Sequence, residues 1–324
     1  MRTHGFMESL EMKEVIKIEN LEKDVLNIKW RVTKMCNLHC SYCIQQNTRK
    51  QIDMQKLKKD ELELCKTAVK LNQLIEESSF QNVALRMIGG EVSIFNIEKI
   101  LKNITSEKLK RVAFTTNFTQ SSEYYLHLIN YLKNRNIICQ ITASYHYETT
   151  KFAEYFKKIE LLKDTIVDGG GKISCEMVNT GNNDFYINAF TNYCNQRKVD
   201  YTVDMDKREL TDKTNMQADD NFNEGTKKVY FSDGSISNIK FINRLFSNNE
   251  VSNIENKRFL KCKGFVCSHS YDYLVVNFNK IQGRTKDNKD CKQFINFEDF
   301  KWLPPSKCVK ESCNLCGQMS LWKE

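Results

Sequence analysis

The segment Cys36-Asn37-Leu38-His39-Cys40-Ser41-Tyr42-Cys43 places three cysteines within one short stretch, at the spacing C-x3-C-x2-C. A thiolate is a nucleophile and a soft metal ligand. Three of them on one loop can converge on a single centre. A closed structural zinc site needs four ligands, and His39 is badly placed between its neighbours to complete the set. A cubane iron–sulfur cluster takes one cysteine per iron, so three ligands leave one iron open to an exogenous molecule. Zinc with a fourth ligand from a distant part of the chain is the alternative. A second set, Cys262, Cys267, Cys291, Cys308, Cys313 and Cys316, lies near the C-terminus and ends in a C-x2-C pair. Six cysteines cannot fill two four-ligand clusters, so one further metal site is expected there, either iron–sulfur or a zinc knuckle. Cys65, Cys139, Cys175 and Cys194 fall on helices or on apolar strand faces and read as small hydrophobes.

The elements around the first cysteine loop follow from hydrophobic period. Leu26–Lys34 alternates strictly, with Leu26, Ile28, Trp30 and Val32 on one face, and Cys36 follows directly. Helix-period stretches then alternate with strand-period stretches. Helices are expected over Met54–Glu77, Ile97–Lys108, Glu123–Lys133, Lys151–Lys163 and Asp184–Gln196. Strands are expected over Val83–Ile88, Arg111–Thr116, Ile137–Tyr145, Lys172–Val178 and Val199–Met205. With Leu26–Lys34 this makes six strands, the pattern of an α/β fold with a parallel sheet: a partial (β/α)6 TIM-like barrel, open because a closed one needs eight units. The second face of these strands is polar, with Arg31, Thr33, Arg86, Thr115, Gln140, Thr142, Ser144, Ser174, Glu176 and Asp204 on it and Asn117, His146 and Asp206 just past the strand ends. A filled structural barrel carries branched apolar residues there. A wet, substrate-holding cavity is expected instead, with Arg31, Arg86, Glu176, Asp204 and Asp206 as its charged lining. Residues 1–24 form an N-terminal extension and 25–206 the barrel. Residues 207–260 read as a linker or lid with a hairpin turning on the two residues Asp233–Gly234. Residues 261–324 read as a small, Cys-rich α+β domain held together by metal.

Composition narrows the class. The chain has 324 residues, 40% apolar and 28% charged, enough for a packed core. Thirteen cysteines, an odd number, fit a disulfide framework poorly. The first 24 residues mix acids and bases and lack an apolar run, so no secretory leader is expected, and no stretch approaches the length of a membrane helix. A cytoplasmic protein with no membrane partner follows, and in a reducing compartment clustered cysteines point to metal or catalysis. The net charge of +8 reads as a Lys-rich solvated surface. No basic stripe with interleaved aromatics is present, so no nucleic-acid partner is expected.

The three-cysteine motif, with aromatic Tyr42 before its last cysteine, resembles the signature of the radical S-adenosylmethionine superfamily. The resemblance extends over about residues 26–206. Family members follow the second strand with Gly-Gly-Glu-Pro; this chain has Gly89-Gly90-Glu91-Val92. The resemblance implies a [4Fe–4S] cluster on Cys36, Cys40 and Cys43. It also implies S-adenosylmethionine contacts from Tyr42, Gly89, Gly90, Glu91, Thr116, Asn117, Ser144 and His146, and an external electron donor of the flavodoxin or ferredoxin type. The implied reaction is reductive cleavage of S-adenosylmethionine to a 5′-deoxyadenosyl radical that abstracts a hydrogen atom from substrate. The C-terminal cysteines resemble the family's auxiliary-cluster modules, called SPASM or twitch domains, which implies a second iron–sulfur cluster on Cys267, Cys291, Cys313 and Cys316. Cys291 departs from the family spacing by lying well beyond Gly283. Cys262 or Cys308 would then be a candidate hydrogen-atom donor. The implied substrate is a peptide, to be epimerised, cross-linked or oxidised. A sugar or other small metabolite is the alternative substrate, and a non-enzymatic zinc-binding interaction protein is the alternative class.

Overall fold

The computed structural model describes residues 15–20, 24–43, 45, 52–206, 226–240, 244–247, 266–267, 271–283, 293–307 and 321–322. Strand β1 (Val15–Asn20) precedes β2 (Val25–Thr33), which leads to the cysteine loop. Five strand–helix alternations follow: α1 (Met54–Glu77), β3 (Asn82–Gly89), α2 (Ile97–Leu101), β4 (Leu109–Thr116), α3 (Ser122–Asn134), β5 (Ile138–Ser144), α4 (Phe152–Asp168), β6 (Lys172–Asn179), α5 (Asp184–Arg197) and β7 (Asp200–Met205). Then come β8 (Thr226–Phe231), β9 (Ile236–Lys240), β10 (Arg244–Ser247), β11 (Val266–Cys267), β12 (Tyr273–Asn277), β13 (Lys280–Gly283), β14 (Gln293–Ile295), β15 (Ser306–Lys307) and β16 (Leu321–Trp322).

Strands β2 to β7 pair in chain order, each parallel to the next. An order that never reverses, joined by right-handed crossovers, puts every helix on one face of the sheet. The register agrees. Ile28, Leu85, Val112 and Cys139 form one row across four strands, and Trp30, Met87, Phe114 and Ile141 form the next. These residues join the helices' buried side chains in one core cluster. Helix α1 shows why the local signal was strong. Asp53 Oδ1 accepts from the Gln55 and Lys56 amides at 2.9 and 3.3 Å, a cap that satisfies orphan donors. Leu64, Ala68, Leu71 and Ile75 then recur at helical spacing and are buried.

The opposite face carries the polar rows. Lys29 lies beside Arg86, then Ala113 and Gln140; Thr115 lies beside Thr142 and Ser174; Glu176 lies between Ser144 and Thr202. Arg31 is half-buried at the end of β2, and Asp204 and Asp206 are buried at the end of β7. Cations thus gather on β2–β3 and carboxylates on β6–β7.

The structure departs from three expectations. The helix expected over Ile97–Lys108 stops at Leu101, because side chains from elsewhere take its last carbonyls and the next amides. Arg135 donates to Leu101 O at 3.3 Å and Ile104 O at 2.6 Å, and Asn72 Oδ1 accepts from the Thr105 and Ser106 amides. Arg135→Ala is expected to lose about 2 kcal/mol of stability by stranding these acceptors, seen as a lower urea midpoint with unchanged slope. The β8–β9 turn holds three residues, Ser232 to Gly234, rather than two. Phe231 pairs with Ser235, Gly234 N bonds to Phe231 O, and Gly234 takes φ 81°. A three-residue hairpin uses this left-handed position, which glycine adopts without a Cβ clash. Finally, β12, expected in a separate C-terminal unit, extends the main sheet. It runs parallel to β2, followed by antiparallel β13 and β14, while β10 covers β7 on the far edge. Trp30 Nε1 donates to Phe278 O at 2.9 Å. The N-terminal strand β1 joins a second sheet, between β16 and β8.

Candidate active site

The cysteine loop leaves β2 beside the end of β3, and backbone holds the two together. Thr33 Oγ1 accepts from Met35 N at 2.9 Å and turns the chain. Gly90 N then donates to Thr33 O at 2.9 Å and Glu91 N to Met35 O at 2.8 Å. A Cβ on Gly89 would lie 2.5 Å from Thr33 O, and one on Gly90 would overlap Met35 O more severely still. The glycine pair is therefore what lets the two chains touch, and it places Cys36 at the sheet's C-terminal end. Parallel α/β proteins build their sites at that end.

Glu91 was expected to face a cofactor, and the structure turns it inward. It is 1% exposed. Its Oε1 accepts from Ser93 N at 2.8 Å and the Thr116 hydroxyl at 2.7 Å, and its Oε2 accepts from Asn117 N at 2.5 Å. Burial raises its pKa, against the pull of these donors. Thr116 is likewise turned inward, with its hydroxyl also 3.0 Å from Tyr125 Oη. These two residues tie β3 to β4, because a carboxylate buried there must be surrounded by donors. Asn117, expected to contact the cofactor, reaches the cysteine loop. Its Nδ2 donates to Asn37 Oδ1 at 2.7 Å and lies 3.7 Å from Cys36 Sγ. Cys36 Sγ also accepts from Leu38 N at 3.4 Å.

His146 sits just past β5, with Nδ1 3.3 Å from Cys40 Sγ and 3.1 Å from Tyr42 Oη. Burial holds its pKa down to about 4 even though Glu176 and Glu148 pull the other way, so the ring is neutral at pH 7. Ser144, at the end of β5, is half-buried beside Glu176. Sequence reasoning passed over Ser41, Tyr147 and Glu148. Tyr147 stacks on Tyr42 at 5.4 Å between ring centroids, and the Glu148 carboxylate accepts from both Ser41 N and Ser41 Oγ. The only visible sign was the unusual run of polar and aromatic residues, Ser144 to Glu148, at a strand end.

The three thiols can be tested as ligands by their electrostatics. Burial raises the Cys36 pKa first, with Glu91 and Cys43 adding to it. Burial likewise pushes Cys40 up to about 11, with Cys36, Cys43 and Glu148 adding to it. The Cys36 and Cys40 thiolates are thus disfavoured by burial first and by nearby groups second, and a bound cationic centre would compensate for both. Among the described residues no three His, Cys, Asp or Glu side chains converge tightly enough to share one metal ion. Three cysteine thiols match in number and kind the protein ligands that a four-iron cluster with one open iron would take. Cys267 lies on β11, opposite Ser306 and Leu321. Cys262, Cys291, Cys308, Cys313 and Cys316 lie outside the described residues. Cys139, Cys175 and Cys194 are buried in the core.

A cavity of about 570 Å³ lies elsewhere, beside α2 and α3, lined by Ser93, Phe95, Lys99, Lys102, Tyr124 and His127 among others. Glu98 at its rim pairs with both Lys102 and His127. None of the expected site residues lines it. Among the described residues no helix is long and apolar enough to cross a membrane.

No family model matches this chain, and no curated protein matches it. Among solved structures it is similar to native anSMEcpe with bound AdoMet, at 14% identity and a TM-score of 0.38, over 56% of this chain and 50% of that one. It is also similar to SuiB of Streptococcus suis bound to S-adenosylmethionine, at 14% identity and a TM-score of 0.32, over 86% of this chain and 62% of that one. For SuiB bound to the precursor peptide SuiA the values are 14%, 0.30, 79% and 58%. The chain spans about half the length of the first of these structures.

Proposed function

We propose that this chain is a radical S-adenosylmethionine enzyme with a partial (β/α)6 barrel, that Cys36, Cys40 and Cys43 hold its [4Fe–4S] cluster, and that its substrate is a peptide. The observation that supports this most is the junction of the three-cysteine loop with Gly89–Gly90 at the C-terminal end of a singly wound parallel sheet. When bound, the cluster and S-adenosylmethionine supply a 5′-deoxyadenosyl radical, formed with one electron from an external donor. The chain's own residues do the positioning. Asn117 and the Leu38 amide direct donors at Cys36 Sγ, as hydrogen bonds to a ligating thiolate would require. Gly89 and Gly90 keep that loop close against β3.

The polar face of the sheet, with Lys29 and Arg86 on β2–β3 and Glu176 and Asp204 on β6–β7, would suit a charged or polar peptide; a sugar or other small metabolite is the alternative substrate. The second cluster on Cys267, Cys291, Cys313 and Cys316, and a hydrogen-atom donor at Cys262 or Cys308, are proposed from the resemblance of the C-terminal cysteines to the auxiliary-cluster modules.

The test is anaerobic reconstitution with iron and sulfide, then reduction with S-adenosylmethionine and deuterated peptides carrying both acidic and basic residues. The expected result is 5′-deoxyadenosine that acquires deuterium from one of them. A protein that binds only zinc and forms no 5′-deoxyadenosine overturns the proposal.

A further inference from the structure

The loop after β5 grips three consecutive residues of the cysteine loop. Glu148 accepts from Ser41 N at 2.7 Å and from Ser41 Oγ at 2.5 Å. His146 Nδ1 lies against both Cys40 Sγ and Tyr42 Oη. The Tyr147 ring lies nearly parallel to Tyr42, at 9°. The gripping loop is itself rooted. Tyr145 is buried, donates its amide to Glu176 O at 2.7 Å, and stacks on Phe190 of α5. Thr149 N and Thr150 N both donate to His146 O, closing a tight turn. Tyr147 reaches on to the loop after β6 and the start of α5, with its Oη 3.1 Å from Thr180 Oγ1 and its ring 5.0 Å from Tyr186.

The cysteine loop has little of its own to hold it. Residues 36–43 contain no helix or strand; among the bonds within them are Leu38 N to Cys36 Sγ, Cys43 N to Cys40 O and a Cys40–Tyr42 side-chain bond. A loop without the ladder of a helix or strand samples many conformations unless outside contacts restrain it. We propose that His146, Tyr147 and Glu148 are positioning residues that clamp the three-cysteine loop in place before any metal centre forms. The inference concerns the same loop as the proposed function, but it makes no use of iron.

It is therefore tested on the full chain, metal-free and reduced, by timed alkylation with iodoacetamide and peptide mass spectrometry. Glu148 is exposed, so its replacement leaves the core intact. Glu148→Ala is expected to raise alkylation of Cys36, Cys40 and Cys43 about tenfold, by the loss of two charge-assisted bonds. Glu148→Gln keeps an acceptor for Ser41 and is expected to stay within about twofold of the parent. Tyr147→Leu falls between them. Lys151→Ala, beside the same turn and paired only with Glu154 among the described residues, leaves the rates unchanged. Cys139 and Cys194, buried in the core, stay unmodified throughout and report that the fold is kept. An Ala variant that reacts no faster than the parent, or a Gln variant as fast as the Ala variant, overturns the clamp. Failure of the parent to take up iron would overturn the proposed function and leave the alkylation result standing.

Discussion

Gly90→Ala is expected to cost about 3 kcal/mol or more of folding stability, and to take the candidate site with it. The new methyl group would fall on Met35 O, with Met35 C and Lys34 C also inside 3 Å. All three obstructing atoms are backbone, so no side chain can swing aside. The neighbouring chains are also fixed by Gly90 N to Thr33 O and Glu91 N to Met35 O, and relief of the clash must break one of these bonds. Either way the cysteine loop moves off β3. Gly170→Ala is the matched control. Gly170 has φ 70° and nothing within 4 Å of an added Cβ, so only backbone strain of ~1 kcal/mol is expected there. Thermal and urea melts of both variants check the contrast. A Gly90→Ala protein as stable as Gly170→Ala would show that the close approach is not what fixes this glycine.

The second large effect is loss of iron. Cys36→Ala, Cys40→Ala and Cys43→Ala are each expected to lose one cluster's worth of iron on anaerobic reconstitution, and to form no 5′-deoxyadenosine above background. Two thiolates cannot hold a cube that needs three. Cys65→Ala serves as control. Its thiol is half-buried on α1, 3.9 Å from Lys99 O, and its loss leaves iron content unchanged. Iron and acid-labile sulfide per chain, with visible absorbance, are the measurements. Equal iron in Cys40→Ala and the parent would remove the cluster from this loop.

The strand–helix alternation was legible because each element carries its own signal. Helix α1 begins at Met54 and ends at Glu77, as its apolar spacing predicts, and β2 differs from its expected span by one residue at each end. Long-range contacts left no such trace. Nothing local shows that β12 would lie parallel to β2, or that Arg135 would cut α2 short. The site divides in the same way. Three cysteines at a fixed spacing and a glycine pair can be read directly. The inward turn of Glu91 and Thr116 cannot, because it depends on β3 and β4 being adjacent. Glu148 is ordinary in sequence and acts on a residue 107 positions away.

The pairing of β2 with β12 has a consequence for synthesis. The two edges of β2 are completed at very different times: β3 follows within one helix, whereas Trp30 waits for Phe278, 248 positions later. At about 5–20 residues per second that is an interval of roughly 12–50 s. Throughout it, the strand that carries the cysteine loop presents an open edge rich in Leu, Ile, Trp and Val. Such an edge invites pairing with another chain. The nascent protein is therefore most vulnerable to aggregation at the strand that leads into its chemistry, and a segment made 248 positions later is what closes it.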